Sequence, residues 1–160
     1  MTPDQHAARR ADIEAEENRL TFDRFDFAQA WAIGQALVAA APAPVAIRIV
    51  VGGRVLFAAA LDGTCASNDA WLDLKFAALA HFGRSTLWLH HDLRARERTL
   101  AANPSVQRPM ADHGGVFPIR IGAQMVGGIG VSGLPHEADH ALIVGVLDQL
   151  AQAAHGQPQR

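Results

Sequence analysis

The sequence predicts an α+β fold: a central antiparallel sheet of about five strands with helices on both faces. Three observations carry that reading. Residues 45–60 form two apolar runs around Gly52-Gly53, a pair that accepts the positive φ angles of a tight hairpin turn. Residues 116–131 repeat the arrangement: Val116–Ile121 and Gln124–Val131 alternate apolar and polar residues about Gly122-Ala123. Around the hairpins lie segments whose apolar residues recur three and four apart, as in helices that bury one face. Hairpins make antiparallel sheets, and the helices must bury their apolar faces against them.

In chain order, Thr2-Pro3-Asp4 has the form of a helix start, with Thr2 as cap and Pro3 at the first position. Asp4–Asn18 is rich in Ala, Glu and Arg, so residues 1–19 read as an exposed or partner-packed helix, with a flexible arm as the alternative. Leu20–Phe22 is a short strand candidate. Asp23 or Asp26 can cap the helix Phe27–Ala40, which Pro42 and Pro44 stop. Val45–Val51 and Arg54–Ala60 are the first hairpin, and Leu61–Ser67 is a loop. Asn68 or Asp69 can cap a helix to Phe82, with Trp71, Leu72, Phe76 and Leu79 on one face, Lys75 one turn after Trp71, and Gly83 as terminator. Ser85–Leu89 reads as a short strand and Leu93–Ala102 as a charged helix that Asn103-Pro104 ends. In the second hairpin, Gly127, Gly128 and Gly130 share one strand, which predicts a neighbour lying close to its backbone. The last helix runs from Pro135 to about Ala153, with Glu137 and Asp139 in its first turn, where they complement the helix dipole. No repeat or linker divides the chain. Residues 20–153 read as one domain and 154–160 as a disordered tail.

The 160 residues suffice for one domain with a core, and 49% apolar with 19% charged residues is the balance of a globular protein. A net charge of −2 supplies no field that draws nucleic acid or an anionic membrane. The apolar stretches are too short or too interrupted to span a bilayer. Met1–Arg19 carries no apolar signal region, and the one cysteine, Cys65, has no internal partner. A cytoplasmic location is the expectation.

The stretch His113–His140 reads H-G-G-V-F-P-I, a short strand, then V-S-G-L-P-H-E-A-D-H. With Trp71-x-x-x-Lys75 and His81-Phe82-Gly83-Arg84-Ser85 upstream, where Thr86 replaces a second Ser, it resembles the haem-degrading-domain family of GlcG-like and HbpS-like proteins. The nearest branch is that of the uncharacterised-protein-family members of similar length, and the likeness runs from about Leu20 to Leu150. The resemblance implies a profilin-like α+β fold and a homo-oligomer. It also implies haem or another tetrapyrrole as ligand, possible slow haem breakdown, and His113 or His140 as iron donor.

The residues themselves offer several chemistries. His113-Gly114-Gly115 combines an imidazole with backbone that a ligand can approach, or is a glycine turn with a hydrogen-bonded His. Ser132-Gly133-Leu134-Pro135 precedes a helix N-terminus, where free N–H groups favour a carboxylate, or is an ordinary strand-to-helix turn. Lys75 can pair with a ligand carboxylate such as a haem propionate, or snorkel to solvent. Asp139-His140 reads as part of a cleft rim or subunit contact, or as a helix-dipole carboxylate beside a solvated His. His136-Glu137-Ala138-Asp139-His140 matches the H-E-x-x-H of zinc proteases, but in a first helical turn and without an evident third ligand. His90-His91, if on a strand, point to opposite faces. Cys65 is a thiolate candidate or a small core residue. No nucleophile–base pair, phosphate loop or dinucleotide fingerprint is present. Three functions follow: a small-ligand protein binding haem or another tetrapyrrole, a non-catalytic homo-oligomeric scaffold for a protein partner, or a binder of a small organic acid through Lys75 and Ser132–Pro135.

Overall fold

The chain alternates helix pairs with hairpins, and the computed structural model describes residues 1–156. Helices α1 (Pro3–Arg19) and α2 (Phe27–Ala40) precede the hairpin β1 (Ala46–Val51) and β2 (Arg54–Ala60). Helices α3 (Ala66–Phe82) and α4 (Thr86–Ala95) and a 3-10 turn (Leu100–Ala102) lead to the hairpin β3 (Val116–Ile121) and β4 (Gln124–Ser132). Helix α5 (His136–His155) follows. The tail expected at 154–160 begins as the end of α5, and its last residues lie outside those described. No described helix is long and apolar enough to cross a membrane.

The sheet is antiparallel in the order β2-β1-β4-β3, so the two hairpins meet along β1 and β4. It has four strands, not about five. Leu20–Phe22 contributes only a single bridge, Phe22 to Ile121. Ser85–Leu89 is not a strand. The Ser85 side chain accepts the Trp88 N–H at 3.2 Å and caps α4, and Leu89 and Leu93, one helical turn apart, pack with Ala78 of α3. The charged helix expected at Leu93–Ala102 is therefore displaced: α4 ends at Ala95, and Glu97 turns the chain with φ 53°. Helix α3 starts earlier than its polar residues suggest. Cys65 holds the cap position, and its N–H donates to the Asn68 side chain at 2.9 Å.

The two faces of the sheet are covered differently. Ile129 and Val131 of β4 enter a core with Ile33 and Leu37 of α2 and Ile143, Val146 and Leu147 of α5. Gly128 and Gly130 face α3 instead. A Cβ on Gly130 would lie 2.6 Å from the Phe76 ring and 3.0 Å from Leu72. The glycine-rich strand is thus the bed on which α3 lies, the close approach expected from its composition.

Helix α1 buries only Ile13 and Glu17. It is tied to α4 and α5 by polar contacts: Arg10 to Asp92, Arg9 to Glu137, Glu16 to His140, and Glu17 to the Ser85 N–H and Arg84.

Candidate functional site

The β4–α5 turn, the chain entering β3 and one face of α3 border an open cavity of about 290 Å³. Helix α3 supplies Asn68, Trp71 and Lys75, spaced three and four apart and so on one face. The turn supplies Ser132 and Gly133, α5 supplies His136 and Asp139, and His113 stands at the entry to β3.

Lys75 is 3% exposed and Asp139 2%. The Lys75 ammonium donates to the Val131 carbonyl at 3.2 Å and to Asp139 Oδ2 at 3.1 Å. Asp139 Oδ1 accepts the Leu134 N–H at 2.9 Å. Burial pulls the Lys75 pKa below its usual range, with Asp139 opposing. Burial likewise pushes Asp139 up against the pull of Lys75. Lys75 is also the only lysine in the chain, all its other strongly basic side chains being arginines.

Two sequence readings change here. The N–H of the Ser132–Pro135 turn that could meet a carboxylate meets the protein's own, Asp139. The glycines of His113-Gly114-Gly115 serve internal packing: a Cβ on Gly115 (φ +127°) would lie 2.6 Å from Lys75 Nζ, and one on Gly114 2.5 Å from the His136 carbonyl. The Gly114 N–H donates to His136 Nδ1 at 3.2 Å.

Beside the cavity lies a cluster of imidazoles from four segments. The exposed His113 ring is 5.0 Å from the Trp71 ring and 5.7 Å from His136. His136 is 4.4 Å from His90, and His6 of α1 meets His91 at 2.8 Å between Nδ1 atoms. His91 Nε2 bonds Glu137 at 2.7 Å, and His90 Nδ1 donates to the Asp112 carbonyl at 3.0 Å. The pKa values of His6, His90, His91 and His136 all lie below 6.5, in each case first through burial; His90 falls to about 4. His90 and His91 join this cluster because they sit on a helix, where neighbours diverge by only about 100°. Among the described residues no three His, Cys, Asp or Glu side chains are placed to hold a metal ion.

His140 is not part of the site. It follows Asp139 by one residue on α5, so it faces a different side of the helix. It is 1% exposed and its Nε2 bonds Glu16 at 2.8 Å. His113 and His140 therefore do not face one cleft. The H-E-x-x-H reading fails although His136 and His140 stand one helical turn apart, because each ring is engaged elsewhere: His136 Nδ1 accepts the Gly114 N–H and His140 Nε2 bonds Glu16. His136 lines the cavity, Glu137 bonds His91 and Arg9, and His140 turns to α1. Cys65 is exposed at the α3 cap and does not line the cavity.

Sequence reading assigned three wall residues elsewhere: Asn68 as a helix cap, Trp71 to the apolar face of its helix and His136 to the H-E-x-x-H match. Trp71, read as core, is 40% exposed, and Asn68 and His136 line the cavity beside it. The spacing of Asn68, Trp71 and Lys75 carried that signal. The grouping of His6, His90 and His136 had none, because it depends on how α1, α4 and α5 dock.

The chain is similar to known proteins over most of its length. The profile of the family described as "Haem degrading protein HbpS-like" matches residues 25–148. A UPF0303 protein of Streptomyces avermitilis is 43% identical over 86% of this chain and 88% of its own. Another from Streptomyces coelicolor is 39% identical over 87% and 91%. Among solved structures, Ybr137w superposes with TM-score 0.82 at 25% identity, over 91% of this chain and 89% of that one. A PduOC:haem complex superposes with TM-score 0.66 at 19% identity, over 78% and 93%. The chain belongs to the HbpS-like haem-degrading-protein family, among its UPF0303 members.

Proposed function

We propose that the cavity and its rim form a small-ligand site and that the ligand is haem. The observation that carries the reading is His113. Its imidazole is exposed at the cavity mouth beside Trp71, and its nearest polar partner, Asp112, is 3.8 Å away, so a ring nitrogen is free to ligate iron. The family and the haem complex of a structural neighbour support the same ligand. Haem would be held at the rim rather than enclosed. A cavity of about 290 Å³ stands at the small end of the roughly 300–1,000 Å³ of pockets that bury drug-sized ligands. Asn68 and Ser132 are the polar side chains that would receive an edge substituent. Lys75 is engaged by Asp139 and is not a free partner for a propionate. Bound iron would supply any redox chemistry; this chain's residues hold and orient the ligand.

The cavity's size and polar walls favour a second reading, a small organic acid as the occupant. The profilin-like topology, a homo-oligomeric state and a cytoplasmic location belong to this proposal too. Four antiparallel strands between helices support the first. The exposed Phe27, Trp31 and Val55, beside the free edge of β2, support the second.

Titration of haemin into the purified protein, followed by absorbance, tests the ligand. A Soret shift that saturates at one haem per chain and is lost in His113→Ala is expected. A weak, unsaturable shift that survives His113→Ala overturns haem and leaves the small acid, which calorimetry with candidate acids then decides.

A further inference from the structure

The chain meets every need for a strong cation with arginine except at one position, and that position is the one where a Lys or Arg is buried among the described residues. Space explains part of this: Gly115 passes so close to Lys75 Nζ that the wider guanidinium has no room. Space does not explain a cation there at all, because a buried ion pair is often no more stable than an apolar pair of the same volume. What lysine offers beyond arginine is a proton it can lose.

The surroundings favour that loss. Lys75 Nζ has two acceptors in the protein, the Val131 carbonyl and Asp139 Oδ2. An ammonium has three N–H groups against these two protein acceptors and turns the third toward the cavity; a neutral amine satisfies both acceptors and turns a lone pair there instead. Asp139 stands at 3.1 Å to take the proton, itself anchored by the Leu134 N–H. Burial acts on both partners toward the neutral pair. Both line a cavity large enough for a molecule of a few carbons, with Asn68, Ser132 and His136 as polar neighbours.

We propose that Lys75 captures a small polar aldehyde or ketone in this cavity as an imine, with Asp139 as its proton partner. The Lys75 proton passes to Asp139. The neutral amine adds to the carbonyl carbon to give a carbinolamine, and that intermediate loses its hydroxyl as water, protonated by the Asp139 carboxyl. The nitrogen–carbon double bond forms, one water leaves, and no oxidant or reductant is consumed. The proposal rests on the cavity being a ligand site but not on that ligand being haem.

Because Lys75 is the only lysine, it and the amino terminus of Met1 are the only primary amines, and a peptide map resolves them. The full chain is incubated at neutral pH with glycolaldehyde or pyruvate, reduced with cyanoborohydride, digested and analysed by mass spectrometry. An ordinary exposed lysine would trail the α-amino group by roughly 300-fold in its neutral fraction. The expected result reverses that order: the reduced adduct builds up on Lys75 at least as fast as on Met1, and disappears in Lys75→Arg. An adduct confined to Met1 overturns the proposal, as does one on Lys75 that forms only after the protein is unfolded in urea. If Lys75→Arg fails to fold, the wild-type map still decides. A saturable haemin shift without a Lys75 adduct overturns the imine and leaves the haem site. An adduct without that shift does the reverse.

Discussion

Acidification should loosen the histidine cluster, and His90 sets the scale. Its ring faces Arg94 and His91 of its own helix, the Asp112 carbonyl and His113 of the loop before β3, His136 of α5 and His6 of α1. Burial first, and then Arg94, bring its pKa from 6.5 to about 4, against the Asp112 carbonyl. The unfolded chain therefore takes up a proton near pH 6.5 that the folded chain refuses until about 4. The contribution is fully present above 6.5 and is lost as the pH falls through that window. At 1.36 kcal/mol per pH unit the interval is worth roughly 3 kcal/mol. His90 is only half-buried and solvent screens it, so about 1.5 kcal/mol is expected. For a chain of this length that is about 4 °C in Tm. Urea unfolding of the apo-protein at neutral pH and at about pH 4, in wild type and His90→Gln, measures it. The variant should lose less stability on acidification than wild type by about that amount. Parallel pH dependences in the two proteins would refute the reasoning, because they would place the uptake elsewhere.

The other expectations concern packing and caps. Gly130→Ala drives a methyl group into Phe76 and Leu72 and should cost about 1–3 kcal/mol, read as a lower urea midpoint with an unchanged m-value; an unchanged midpoint would mean that α3 shifts without penalty. Ser85→Ala removes the cap on the Trp88 N–H and should cost about 1 kcal/mol, read as a lower urea midpoint, and Ser85→Asp should not recover it, because a second carboxylate would be buried beside Glu17. Glu16→Ala leaves the buried His140 ring, whose Nδ1 already lacks a partner, without its Nε2 bond, and should cost about 1–3 kcal/mol. Amide hydrogen exchange in α1 should rise in that variant; exchange at the wild-type rate would show that Arg9, Arg10 and Glu17 hold the helix without Glu16.

The hairpins were legible because their signals are local: Gly52-Gly53 and Gly122 make the turns, and alternation sets the faces. The glycines of β4 could be read as a place of close approach, though not as the seat of α3. Segment 85–95 was misread because T-L-W-L alternates over four residues, while the helical spacing of Leu89 and Leu93 needs a longer window. Lys75, His113, Ser132, Gly133 and Asp139 were named from motif and do meet at one cavity. His140 was named with them and does not, since a single residue along α5 separates a side chain in the cavity wall from one buried against α1.

The Lys75–Asp139 pair decides what is left for a ligand. Asp139→Ala would strand a buried cation beside an orphaned Leu134 N–H, at a cost of about 3–5 kcal/mol. Lys75→Met in the same chain should return much of that stability, because an apolar stem can fill the space beside Gly115 without a counter-charge. If the double variant is as unstable as Asp139→Ala alone, Asp139 acts through the Leu134 turn rather than through Lys75. If stability returns, the pair is dispensable for the fold. Its presence in the cavity wall is then a matter of chemistry, and ligand anchoring falls to the groups with free capacity, the His113 imidazole and the Ser132 hydroxyl.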